Sequence, residues 1–126
     1  MANSIGFPAV ARRDARVLVL GTFPSVESLS KQQYYANKRN SFWKIMGELV
    51  GAFPNLPYDK RLKLLGENGI ALWDVCAAAE RAGSLDSNIQ SHVVNDFVSF
   101  FKEHTGIKLV CFNGQSSEKL FRQYAK

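Results

Sequence analysis

The chain has 126 residues and a net charge of +5, with two cysteines and two histidines. That length fits one domain with a core of its own and needs no staples. Cys76 and Cys111 form no Cys-x-x-Cys pair and His92 and His104 lack ligand partners at helical spacing, which speaks against structural zinc or a four-cysteine iron–sulfur cluster. Both cysteines lie in apolar contexts and are expected to be buried free thiols. No signal segment and no apolar run of membrane-spanning length is visible, so the expectation is a soluble cytoplasmic protein with no metal and no cofactor. The positive charge is compatible with a polyanionic partner without requiring one.

In chain order, residues 1–14 read as an irregular lead-in in which Gly6-Phe7-Pro8 packs against the domain. Val17-Leu18-Val19-Leu20 is a short, β-branched apolar run, and residues 16–20 are predicted as a strand buried on both faces. Gly21 breaks it, and Thr22-Phe23-Pro24-Ser25 follows as a loop, Pro24 pushing Phe23 towards extended backbone. A helix beginning near Ser41 places Phe42, Ile45, Met46, Leu49 and Val50 on one face and ends at Gly51. After a loop at 52–57, Asp59 is positioned to cap a short basic helix reaching Leu65, and 66–69 is a turn. Ile70-Ala71-Leu72-Trp73 reads as a second buried strand, with Asp74 just past its end. Residues 76–88 have no clear period and are predicted as loop. Over 92–104 a helix would gather Val94, Phe97, Val98 and Phe101, ending at Gly106. Residues 107–112 are the third strand, and a helix over 118–124 turns Leu120, Phe121 and Tyr124 inward.

Strand and helix alternate, which predicts a three-layer αβα sandwich around a parallel sheet joined by right-handed crossovers. In such sheets ligands bind at the carboxyl ends of the strands, which places the loop after Gly21 at a site. That loop and its continuation carry aromatic, amide and cationic side chains and no nearby acid except Glu27, a set suited to a flat neutral ring attached to a polyanion.

Gly21-Thr22-Phe23-Pro24-Ser25 and Tyr34-Tyr35-Ala36-Asn37-Lys38-Arg39-Asn40-Ser41-Phe42-Trp43 resemble the first motif region of the uracil-DNA glycosylase superfamily. The hypoxanthine (deoxyinosine) branch is the nearest in pattern and the mismatch-specific uracil/thymine branch next. Leu72-Trp73-Asp74-Val75, residues 81–86 and Phe112-Asn113-Gly114 resemble the same branch, so the likeness runs over most of the chain. It implies a glycosylase that hydrolyses the N-glycosidic bond of a deaminated base, hypoxanthine or uracil, flipped out of DNA. It also implies a fourth strand and a Pro- and Ser-rich second motif after the last helix; the expectation is therefore a single domain lacking its C-terminal part.

By the same resemblance, Tyr35 aligns with the aromatic that stacks on the base; a core tyrosine is the alternative. Mismatch-specific relatives carry their water-positioning Asn in the first loop, where this chain has Phe23, and phenylalanine orients no water. The hypoxanthine branch has its catalytic Asn downstream, in the tract matching 37–40, and Asn40 fits it better than Asn37. Capping of the following helix is the competing role for Asn40. Asn113 resembles the residue that reads the base edge, or is only the first half of an Asn-Gly turn. Gly21, Thr22, Phe23, Pro24 and Ser25 are expected to contact the base, through Ser25 and the amides of Thr22 and Phe23; Ser25 has capping of a short turn as its alternative. Lys38 and Arg39 are expected to touch phosphate, and Asp74, Arg81, Ser84 and Asp86 to form a salt bridge and loop caps or to assist catalysis. The partner implied is DNA with a deaminated or mismatched base. A non-catalytic nucleotide- or protein-binding module, or an inactive glycosylase fragment, are the competing readings; no Gly-x-Gly-x-x-Gly or phosphate-loop pattern supports the first of these.

Overall fold

The computed structural model describes residues 4–37, 40–81 and 89–124. Its centre is a parallel sheet in the order β3–β2–β6, formed by β2 (Val17–Gly21), β3 (Ile70–Asp74) and β6 (Leu109–Phe112). Val17 pairs with Ile70 and Leu109, and the register runs on to Gly21 opposite Asp74 and Leu20 opposite Phe112. Leu18 and Leu20 are fully buried, as the continuous apolar run requires of a central parallel strand.

Each face of the sheet is covered. On one side, α2 (Phe42–Val50) and α3 (Tyr58–Glu67) cover Val19 and Leu72 with Phe42, Trp43, Met46 and Leu65. On the other, α4 (Phe97–Glu103) and α5 (Gln115–Tyr124) cover Leu18, Leu20 and Ala71 with Phe97, Phe100 and Phe121. The αβα sandwich expected from the alternating pattern is what forms.

Several elements differ from the sequence reading. Residues 76–81, expected as loop, are β4 (Cys76–Arg81), which pairs antiparallel with β5 (Ile89–Val94) and, on its other edge, with β1 (Ser4–Ile5). This second sheet gives the lead-in a strand, and Val10 adds a bridge to Leu72. Residues 82–88, with Ser84 and Asp86, and the side chains of Arg81 and His92, lie outside the described residues. The helix read over 92–104 is only Phe97–Glu103: His92, Val93 and Val94 belong to β5, and Asp96 caps α4 by accepting from the Ser99 amide at 3.1 Å. Val98 consequently points to solvent.

In α2 the buried face is Phe42, Trp43, Met46 and Gly47, whereas Ile45 and Leu49 are exposed. The loop after Gly51 explains the rotation. It folds back so that Phe53 lies where any side chain at residue 47 would sit, and it covers that side of the helix. Cys76 is buried as expected, but Cys111 is exposed, because β6 lies at an edge of the described sheet. No described helix is long and apolar enough to cross a membrane.

Candidate active site

A cleft of about 300 Å³ opens where β2 and β3 end, lined by Gly21, Thr22, Phe23, Pro24, Ser25, Tyr35, Asn37, Asn40, Asp74 and Asn113, with Ser28 and Tyr34 behind them. That volume is at the small end of ligand sites and matches one nucleobase better than a whole nucleotide. Residues from the first loop, the Tyr35–Asn40 tract and the end of β6 therefore meet, although 92 positions separate Gly21 from Asn113. Lys38 and Arg39 lie outside the described residues.

The strand ends make one wall. Gly21 ends β2 and Thr22 follows it: their carbonyls accept from the Val75 and Cys76 amides at 2.8 and 3.0 Å. A glycine is needed at 21 because a Cβ there would lie 2.6 Å from Asp74 Oδ1 and 3.0 Å from the Tyr35 hydroxyl. Asp74 is thus a buried carboxylate on the cleft wall, and Asn95 donates to its main-chain carbonyl at 2.7 Å. Asn113 leaves β6 with its amide on Leu20 O at 2.8 Å, just before Gly114 at φ +108°.

Ser25 takes the capping role weighed for it. Its hydroxyl accepts from the Ser28 amide at 3.1 Å and starts α1 (Val26–Lys31), a helix the sequence reading did not contain. It lines the cleft as well. Ser28, buried beneath, accepts the Ala36 amide at 3.0 Å and so ties the opposite wall to this helix.

That opposite wall is the aromatic tract. Tyr34 is buried and held from three sides: its amide donates to the Tyr58 hydroxyl at 2.9 Å, its hydroxyl to Pro8 O at 3.2 Å, and its carbonyl accepts the Trp43 indole at 2.8 Å. Tyr35 adopts the left-handed backbone, φ +54°, uncommon for an aromatic residue and sustained only where the surroundings over-determine it. Its ring leans on Phe42, centroids 4.3 Å apart, and its hydroxyl reaches towards Asp74. Burial first, and then the Asp74 charge, push the Tyr35 phenol well above its ordinary value, while the nearby Asn113 side chain pulls the other way. The hydroxyl makes no hydrogen bond of good geometry among the described residues, and Thr22 Oγ1 is in the same position.

Asn40 lines the cleft and takes the capping role weighed for it. Its Oδ1 accepts from the Phe42 amide at 2.9 Å, capping α2 although Ser41 makes no such bond. The same oxygen faces Asn113 Nδ2 at 3.5 Å, a long contact. Asn37 donates to Glu27 at 3.3 Å. Among the described residues, no group of His, Cys, Asp and Glu has the arrangement to hold a metal ion. Asp74, Ser28 and Tyr34 are cleft residues that the sequence reading did not place in the binding set. Asp74 had a signal, its place at the end of a buried strand, and Tyr34 had its place in the aromatic tract; Ser28 had none.

An αβα sandwich with a base-sized cleft of aromatic and amide side chains at its strand ends fits the uracil DNA glycosylase superfamily, and the chain belongs to it: the family's model matches residues 7–125. Over 113 residues the chain is 43% identical to the hypoxanthine DNA glycosylase of Methanosarcina acetivorans, covering 89% of this chain and 72% of that protein. Its identity to the hypoxanthine DNA glycosylase of Methanosarcina barkeri is 37% over 113 residues, with the same shares covered. The solution NMR structure of a candidate uracil DNA glycosylase from Methanosarcina acetivorans aligns with it at a TM-score of 0.82 and 40% identity, covering 98% of this chain and 80% of that one.

Proposed function

We propose that this chain is a monofunctional DNA glycosylase that hydrolyses the N-glycosidic bond of a deaminated base flipped out of DNA, with hypoxanthine as first substrate and uracil as second. The observation that carries this is the meeting of Tyr35, Asn40 and Asn113 around one base-sized cleft, in a chain of this family. Flipping costs a few kcal/mol, less at a damaged or mismatched pair, and a ring that stacks on the base returns roughly 1–3 kcal/mol. Tyr35 supplies that ring; its contact with Phe42 and the tight packing of its hydroxyl end against Gly21 hold it in place before the base arrives.

Bond cleavage leaves an oxocarbenium-like sugar and sends the bonding electron pair to the base nitrogen, so the base gathers negative charge. Water adds its oxygen to C1′ and its proton goes finally to the base. Asn40 is assigned the water. Its oxygen is already aligned by the Phe42 amide, and the long contact to Asn113 is one that a water proton can displace. Asn113, Ser25 and the main-chain amides of Thr22 and Phe23 are assigned the edge and carbonyl of the base, where donors stabilise the developing charge. Lys38 and Arg39 are assigned to phosphate.

The test is release of base from duplexes containing deoxyinosine, uracil or thymine opposite each partner base, read as strand scission after alkali. Deoxyinosine is expected to react fastest and uracil next. Uracil release with deoxyinosine untouched would move the chain to the mismatch-specific branch, and intact strands throughout would refute the enzymatic reading.

A further inference from the structure

Beside the base cleft lies a larger groove of about 620 Å³ that shares Tyr35, Asn37 and Asn40 with it. We propose that this groove carries the sugar–phosphate backbone flanking the extruded nucleotide, with Arg61 as a fixed phosphate contact and Lys31 and Lys44 as mobile ones. The assignment of the strand to a flipped nucleotide rests on the glycosylase reading above.

The cations come from different helices. Lys31 ends α1, Lys44 lies on α2 and Arg61 on α3, yet all line one groove, and no carboxylate is among its described lining residues. Folding has therefore placed three cations from separate helices along one groove, a positive lining that favours an anionic ligand.

Arg61 is the most specific feature. Its guanidinium carbon lies 4.6 Å from the Trp43 ring centroid and 5.4 Å from that of Tyr58, and Nε donates to Leu56 O at 3.0 Å. Trp43 is itself immobilised by its indole bond to Tyr34 O. The side chain is thus held by its inner edge, and its outer Nη groups make no hydrogen bond or ion pair among the described residues. Burial lowers the Arg61 pKa, with Tyr58 opposing, so the group has already lost part of its water. An arginine fixed and partly dehydrated before binding loses little freedom when it forks onto a phosphate. The shared residues give the direction. A nucleotide whose base enters the cleft past Tyr35 and Asn40 has its neighbouring phosphates next to them, in the groove.

Fluorescence anisotropy of the full chain with a labelled undamaged DNA duplex, over a salt series, tests this without needing base release. Affinity should fall with salt, each phosphate contact contributing a slope of about −0.9 in log K against log salt. The Lys31→Gln/Lys44→Gln double variant is expected to flatten that slope by about 1.8, two such contacts. Arg61→Gln should flatten it further; because Arg61 also packs on Trp43, the lysine pair is the decisive variant. Lys102→Gln/Lys108→Gln removes the same charge away from the groove and should leave the slope as in wild type. A lysine-pair slope equal to wild type, or an equal flattening by the control pair, would overturn the groove. A chain that releases no base yet keeps this pattern would retain the groove as a nucleic-acid track while losing the glycosylase reading. Hypoxanthine release with a slope indifferent to the groove would do the reverse.

Discussion

Along one wall of the cleft, Gly21 and Asp74 sit opposite each other in the parallel ladder, and Asn113 hangs from Leu20 by a main-chain bond. Along the other, Tyr34, Tyr35, Asn37 and Asn40 belong to no strand or long helix. They are held by side chains reaching into the main chain: Tyr58 and Trp43 onto Tyr34, Ser28 onto Ala36, Asn40 onto Phe42. The strand wall inherits its geometry from the sheet, so its precision costs no dedicated residues beyond a glycine. The loop wall needs dedicated anchors, and those on Tyr34 and Ala36 flank Tyr35 and sustain it at positive φ. What the loop gains is freedom to present a ring and an amide at angles that a pleated strand does not offer.

This contrast breaks first at Asn40. Asn40→Ala is expected to lower single-turnover base release by about 10²–10³-fold or more, the scale of removing one oriented amide group from a charge-developing site. Binding of damaged duplex should stay near wild type, and loss of the α2 cap should cost about 1 kcal/mol in denaturant unfolding. Full activity in this variant would take the loop wall out of the chemistry.

The strand wall is probed at Gly21. In Gly21→Ala the new methyl meets Asp74 and Tyr35 at once, so a loss of about 1–3 kcal/mol in denaturant unfolding is expected, with slower base release as the two side chains are pushed into the cleft. Unchanged stability and rate would mean that this wall yields more readily than its ladder implies.

The smallest effect tests the anchoring itself. Tyr58→Phe removes the acceptor of the Tyr34 amide and should cost about 1 kcal/mol by thermal unfolding. Its effect on base release should exceed that of an equally destabilising change in α4 on the far face of the sheet. Equal losses in the two variants would show that the anchor supports the fold and not the cleft.

The central sheet was legible because buried parallel strands announce themselves as uninterrupted apolar runs, at Val17 to Leu20 and again at Ile70 to Trp73. The second sheet was not. Cys76–Arg81 is half alanine, and Ile89–Val94 mixes polar and β-branched residues, so neither strand carries the alternation that marks a half-buried hairpin. Similarly, the apolar positions of α2 at 42, 45, 46, 49 and 50 describe a consistent face, but Phe53 returns from the next loop to cover Gly47, and the helix turns Ile45 and Leu49 to water. Periodicity locates a helix; its rotation depends on a neighbour further along the chain.

By itself the sequence determined the alternation of strand and helix, and it pointed to the loop after Gly21, which lines the candidate cleft. Only the tertiary structure decided that Asn40 and Asn113 face each other, that Asp74 and Tyr35 crowd the same glycine, and that Lys31, Lys44 and Arg61 share a groove. Motifs and periods are local, within a few residues of their cause. The register of parallel strands and the docking of helices on them join distant segments, and those long-range pairings set which side chains meet.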